Sequence, residues 1–170
     1  MKKFLFLLLP FLIISCAEKT ESVKILFSSP AKYTPKGKLA IFVSKKHSDF
    51  MEELLHYIIG EIKSLHPNLE VRPVTNSHWQ DFGYSKDSHI MNALMEAGEK
   101  GFDFALLLWI KQIKGENHDK LEKISIEIRL LEIKRRIDCL GAIVTINYRK
   151  KINRKVVFHR IAKIIASRLI

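Results

Sequence analysis

The apolar and polar positions of this chain fall into a short apolar front end and a longer body with mixed strand and helix periods. Residues 38–44, KLAIFVS, are short and apolar and follow Gly37, as a first strand would. Ser48 or Asp49 can cap a following helix, and Asp49 with Glu52 has capping-box spacing. Phe50, Leu54, Ile58 and Ile62 then recur every four residues, with Leu55 and Leu65 beside them. That spacing predicts an amphipathic helix of about 17 residues, ending near His66 and Pro67. Residues 69–74, LEVRPV, read as a second strand, which Pro73 places at a sheet edge or strand end. Residues 87–97 carry Ile90, Met91, Leu94 and Met95 and predict a second helix, stopped by Gly98 and Gly101.

The run FDFALLLWI, residues 102–110, is almost unbroken, the pattern of a strand buried on both faces at the centre of a sheet. A turn is expected at 115–119. Ile124, Ile126, Ile128 and Leu130 alternate with polar residues, so that strand has one buried and one wet face. The phase slips at Leu131, which predicts a bulge. KRRID, residues 134–138, turns the chain into a last strand over 139–148. Asn153 is placed to cap a final helix over 154–169 that carries Val157, Phe158, Ile161, Ile164 and Ile165 on one side. The order is β-α-β-α-β-β-β-α. Two βα units followed by a meander predict an α/β (α+β) fold with a single mixed β-sheet and helices packed on it.

The front end reads differently. In MKKFLFLLLPFLIISC, two lysines precede 11 uncharged residues, 4–14, that are apolar throughout and interrupted by Pro10. A membrane-spanning helix needs about 20 apolar residues, so the run is too short to span. A basic start, a short apolar middle and a small-residue exit describe a signal peptide. The organisation expected is a signal peptide over 1–15, a tether over 16–36 and one α/β domain over 37–170. The tether is rich in Ser, Thr and Lys, with Pro30 and Pro35. Fully extended, 20 residues reach about 70 Å. Residues 23–27 are apolar enough to dock on the domain as an extra edge strand.

Charge sharpens this picture. Residues 16–110 hold 11 basic and 12 acidic side chains, whereas residues 111–170 hold 16 basic and 6 acidic. The positive excess of the body therefore lies in its last 60 residues. Lys134, Arg135, Arg136, Arg149, Lys150, Lys151, Arg154 and Lys155 are the candidate contacts for an anionic partner. The competing reading is a lysine-rich solvated surface with no specific partner.

Ile13-Ile14-Ser15-Cys16 resembles the bacterial lipobox, two apolar residues and a small residue before a cysteine. The resemblance implies that the Cys16 thiol receives diacylglycerol, that the chain is cut before it, and that the new amine is acylated. The chain would then be an envelope lipoprotein held to a membrane at Cys16. Ala17, where an aspartate would favour inner-membrane retention by analogy with enterobacterial lipoproteins, leans towards an outer-membrane site facing the periplasm. The competing reading is an ordinary signal peptide with a chance cysteine near its end. In element order, residues 38–169 resemble small exported bacterial domains: the amino-terminal domain of TolB, CsgG and LpoB. They also resemble an uncharacterised proteobacterial lipoprotein family with an apolar strand ending in Trp, a polar turn and an alternating strand, here FALLLWIKQIKGENHDKLEKISIEIRLLEI. Such domains mostly act by touching other envelope proteins, which implies a non-enzymatic accessory or adaptor.

Candidate chemistry adds little. No two of the seven histidines stand at the i, i+4 spacing of a helical zinc motif, and no GxGxxG, GxxxxGK[ST] or GxSxG occurs. Neither a catalytic set nor a metal or cofactor site is expected. Cys139, in an apolar strand-like run, is expected to be a buried small hydrophobe. The segment TNSHWQDFGYSKDSH, residues 75–89, is irregular and holds Trp79, Phe82 and Tyr84 among polar residues. Aromatic loop residues of this kind are candidate partner contacts, or they fold back to cover a sheet edge. Two functions follow from the residues: an adaptor binding another envelope component through the aromatic loop or a sheet edge, or a binder of anionic lipid or glycolipid through the basic last 60 residues. Nucleic acid is not an expected partner in the envelope.

Overall fold

The computed structural model describes residues 21–27, 34–45, 48–74, 77–81, 85–116 and 120–169. Cys16, Phe82 and Tyr84 lie outside the described residues, as do the side chains of Arg149 and Lys150. The elements are β1 (Glu21–Phe27), β2 (Lys38–Val43), α1 (Ser48–Leu65), β3 (Glu70–Pro73), α2 (Lys86–Glu99), β4 (Phe104–Glu116), β5 (Lys120–Glu132), β6 (Ile137–Asn153) and α3 (Arg154–Ala166). From β2 onward this is the order the sequence predicts. The strands form one mixed sheet in the order β1-β6-β5-β4-β2-β3. β2 pairs in parallel with β3 and with β4, and β4, β5, β6 and β1 pair antiparallel in turn.

β1 is the expected extra edge strand, and it takes a larger part of residues 16–36 than a free tether allows. It pairs with β6 along its whole length, from Glu21 opposite Tyr148 to Phe27 opposite Ala142. Val23 and Ile25 pack on the main core, while Lys24 and Leu26 point to the other face and are exposed. β3 is the opposite edge, where Pro73 withholds no ladder hydrogen bond.

β4 is central and fully enclosed near its start: Ala105, Leu106, Leu107 and Leu108 have no exposed surface. Leu106 and Leu108 face the side covered by α1 and α3, and Ala105 and Leu107 face α2. On α1, Phe50, Leu54, Ile58 and Ile62 are buried, as their spacing predicts; Phe50 meets Phe158 of α3 edge to face at 4.5 Å. Each buried Leu or Ile of this kind contributes about 1.5–3 kcal/mol by leaving water. The Asn153 side chain accepts from Lys155 N at 2.9 Å, capping α3 as expected.

Three details differ from the sequence pattern. α2 turns Ala93, Leu94 and Ala97 to the sheet and leaves Met91 and Met95 exposed, so its buried stripe is smaller-residued than the pattern Ile90, Met91, Leu94, Met95 implied. β4 also runs on to Glu116, beyond the expected turn start at 115. The bulge predicted from the phase slip at Leu131 is absent from β5: a register shift does lie between Leu130 and Leu131, but its extra residue is Cys139 of β6. Leu131 faces the α2 core by the ordinary alternation that sends Leu130 to the α1–α3 side.

Gly37 adopts φ 95°, which a side chain resists, and a Cβ there would lie 2.3 Å from the Asp103 carboxylate. That carboxylate accepts from Lys38 N at 2.8 Å and ties the start of β2 to β4.

Candidate functional site

β3 runs parallel to β2, so the segment after Pro73 leaves at the C-terminal edge of the parallel strands. Val74 N donates to Ile41 O at 2.9 Å and starts the segment back over β2. Trp79 then inserts under α2. Its indole N–H donates to Val43 O at 3.3 Å, and its ring meets Trp109 at 4.9 Å, Phe42 at 6.1 Å and His89 at 6.3 Å. It is 1% exposed. Trp79 is therefore a core residue of the second cluster and not an exposed partner contact. A large apolar ring whose N–H finds a backbone carbonyl is more stable inside than on the surface.

Around Trp79 the polar residues close on one another. Lys45 N donates to Gln80 Oε1 at 2.8 Å, and Lys45 Nζ pairs with Asp81. His78 Nδ1 lies 2.6 Å from the other Asp81 oxygen. The Lys45 hydrogen bond, then that of His78, holds the Asp81 carboxyl below its ordinary value. Glu96 of α2 accepts from Ser77 Oγ at 2.5 Å and from Lys100 Nζ at 2.6 Å. Burial alone raises Glu96, but the hydrogen bonds from Lys100 and Ser77 outweigh it and set the carboxyl below 4.5.

A depressed carboxyl stabilises the fold above its unfolded value, and that contribution fades as pH falls through the lower folded value. The stability difference between the native chain and a Glu96→Gln variant should accordingly shrink below about pH 4.5. Urea unfolding at pH 7 and pH 3 checks this.

Among the described residues the face that carries α2 is only half covered. α2 lies over β2 and β4, and among the described residues no helix covers β5, β6 and β1 on that side. Glu127 of β5 stands at the boundary, 5% exposed, with its carboxylate among three cations. Lys86 at the start of α2 pairs with it, Arg129 Nε lies at 3.3 Å and Lys111 Nζ at 3.6 Å. Arg129 also donates to Asp138 at 2.6 Å, and the Lys86 ammonium sits 5.6 Å over the Trp109 ring. Partial burial, then repulsion from Arg129 and Lys111, lowers the Lys86 ammonium from its ordinary value. A cavity of about 420 Å³ opens here, lined by Gln80, Lys86, His89, Trp109, Lys111 and Glu127 among others.

Sequence reasoning missed this cluster. Glu127 and Arg129 share one strand face two residues apart, the only local signal. Lys111 and Asp138 join them from the neighbouring strands and Lys86 from the start of α2, which no spacing reveals.

The basic residues separate into two groups. Lys134, Arg135 and Arg136 form the turn between β5 and β6, where Arg135 holds Glu132 through two hydrogen bonds of 2.7 and 2.6 Å. Lys151, Arg154 and Lys155, with strand positions 149 and 150, lie at the far end of β6 and the start of α3. β5 separates these ends by about 40 Å at the rise of a strand. The single basic surface expected from the sequence is thus two, at opposite ends of the sheet. Arg154 is also engaged, 2.7 Å from Glu53 and stacked over Phe158.

Cys139 is buried, as expected. Among the described residues no three His, Cys, Asp or Glu side chains gather where a metal could sit, and no helix is long and apolar enough to cross a membrane.

The architecture defines a class of small α/β domain with a six-stranded mixed sheet, two helices on one face and one on the other. No family model and no curated protein matches the chain. Among solved structures it is similar to the PelC dodecamer from Paraburkholderia phytofirmans in two crystal forms. One, a single-residue variant, has a TM-score of 0.56 at 12% identity and covers 86% of this chain and 96% of that one. The other has a TM-score of 0.55 at 14% identity over 86% and 95%. The lipoprotein GNA1162 from Neisseria meningitidis matches with a TM-score of 0.48 at 12% identity over 78% and 97%. At these identities the PelC likeness is one of fold. None of the three is the TolB, CsgG or LpoB domain that the element order resembles.

Proposed function

We propose that this chain is a lipid-anchored, non-enzymatic component of the bacterial cell envelope that works by docking onto another envelope protein. The observation that carries the reading is the half-covered sheet. On the side away from α1 and α3, β5, β6 and β1 present a surface that no described helix covers, ending at edge strand β1 with Leu26 66% exposed. An edge strand with free backbone groups is a template for pairing, and an adjoining open face offers side-chain contacts in register with it. The lipobox-like run ending at Cys16 supports a membrane anchor, and Ala17 favours the outer membrane. PelC, which shares the fold, assembles as a dodecamer. Copies of this chain are therefore among the proteins the surface can receive.

A photo-crosslinking residue in place of Leu26 or Thr145, in cells carrying the full chain, should give a discrete crosslinked band containing an envelope protein or a second copy. The same residue at exposed Lys63 of α1, on the helical face, should not. The reading fails if neither open-face position yields a reproducible band. Fractionation of the Cys16→Ser variant should show it leaving the membranes; retention there would remove the anchor.

A further inference from the structure

β1 begins at Glu21, so only residues 17–20 separate Cys16 from a strand hydrogen-bonded into the sheet. Those five steps reach at most about 18 Å when fully extended. The long tether that the sequence allowed is therefore absent, and the domain has one end within a short reach of Cys16. Strand register says which end. Glu21 lies opposite Tyr148, and β6 continues past it through positions 149 and 150 to Lys151 and Asn153. Lys120 pairs with Asn153, Lys123 with Asn147 and Lys114 with Lys123, so the β4–β5 hairpin shares this end. α3 starts here as well, with Arg154 and Lys155.

Positive charge exceeds negative charge at this end. Glu122 engages Lys114 at 2.9 Å and Glu53 engages Arg154. Lys120, Lys151 and Lys155 are exposed and positions 149 and 150 are basic; the other acidic positions at this end are 21 and 116 and, at the start of α1 beside α3, Asp49 and Glu52.

We propose that this end of the sheet rests on the bilayer that holds Cys16 and binds anionic phospholipid headgroups. The proposal rests on the anchor at Cys16. Charge complementarity and the short reach act together: the anchor keeps Glu21 within about 18 Å of the bilayer, and resting this end on it brings the cations inside the screening length, about 8–10 Å at physiological salt. Each Lys or Arg at such a surface favours contact about fivefold. The Lys134–Arg136 turn, at the opposite end, takes no part.

The test uses the full chain extracted from membranes and reconstituted into vesicles of phosphatidylethanolamine with either phosphatidylglycerol or phosphatidylcholine. A water-soluble amine-acylating reagent reads each lysine by peptide mass spectrometry, and the same spectra report whether Cys16 is acylated. With acylated Cys16, Lys120, Lys151 and Lys155 should react several-fold more slowly on phosphatidylglycerol vesicles, and Lys134 at equal rates on both. The difference should vanish near 1 M salt, where the screening length falls to about 3 Å. In a Lys120→Gln, Lys151→Gln, Lys155→Gln variant, the slowing at Lys114 and Lys123 should be lost. Equal rates on both vesicles, or slowing at Lys134, overturn the proposal while the anchor stands. Protection in native membranes but not on phosphatidylglycerol vesicles also overturns it and assigns this end to a protein. An unacylated Cys16 removes the anchor reading itself, and this proposal with it.

Discussion

Replacing Trp79 with alanine should lower the unfolding free energy by about 3–5 kcal/mol, the cost of emptying a large aromatic site in a packed core. The ring is 1% exposed, and it is the piece that Phe42, Trp109, His89 and the Val43 carbonyl all touch. Its own carbonyl accepts from Asn92 at 3.2 Å, so the same residue joins the 77–81 segment to α2. Trp79→Phe keeps most of the volume and loses the hydrogen bond, and should cost about 1 kcal/mol plus the smaller ring's lost contacts. Urea denaturation followed by circular dichroism measures both. An exposed partner contact would behave in the opposite way: Trp79→Ala would leave the urea midpoint in place and abolish crosslinking. For the same reason a crosslinker belongs at Leu26 and not at Trp79, where it would disrupt the core and mimic loss of a partner.

Trp79 also marks where the sequence stops being legible. Elements whose evidence is periodic could be read directly. Phe50, Leu54, Ile58 and Ile62 predict α1, and the 102–110 run predicts a buried central strand. Each of these is a local pattern that burial imposes on neighbouring residues. Trp79 stands in a polar, irregular segment, where composition cannot distinguish a ring that turns inward from one that faces a partner. Its fate depends on the parallel pairing of β2 and β3, which returns the chain over β2, and on the small residues Ala93 and Ala97 that make room beneath α2.

The basic residues show the same limit. Composition locates the charge in the last 60 residues, but the antiparallel hairpin sends Lys134–Arg136 and Lys151–Lys155 to opposite ends. How much of the tether is ordered is hidden for a related reason. Residues 21–27 alternate well enough to be an edge strand, but only pairing with β6 turns that propensity into a fixed position. That one pairing leaves only residues 17–20 between Cys16 and a strand fixed in the sheet.

Removing two of the cations around Glu127 should be the other large effect. In a Lys86→Met, Arg129→Met variant the 5%-exposed carboxylate keeps only Lys111, at 3.6 Å. Stripping a buried charge of its partners costs about 3–5 kcal/mol. The lower end applies here, because Lys111 remains and Lys86 is 40% exposed, so water shares part of the load. The loss should depend on pH with a definite sign. A buried carboxylate without cations favours its protonated form, so the folded variant binds more protons than the unfolded chain and its stability falls as pH rises. Acidification should therefore narrow the gap between variant and native chain, while the Glu96 contribution is lost from both. Adding Glu127→Gln to the double variant removes the stranded charge and should recover most of the lost stability at pH 7. Urea midpoints of the native chain and these variants form a cycle that isolates the coupling. If the Gln substitution gave no recovery, Glu127 would owe its place to packing alone. Recovery would identify the cluster as the device that lets a carboxylate sit at the boundary between the α2 core and the open face. The same cations could not then serve as free contacts for an anionic partner, which leaves that role to the end of the sheet beside Cys16.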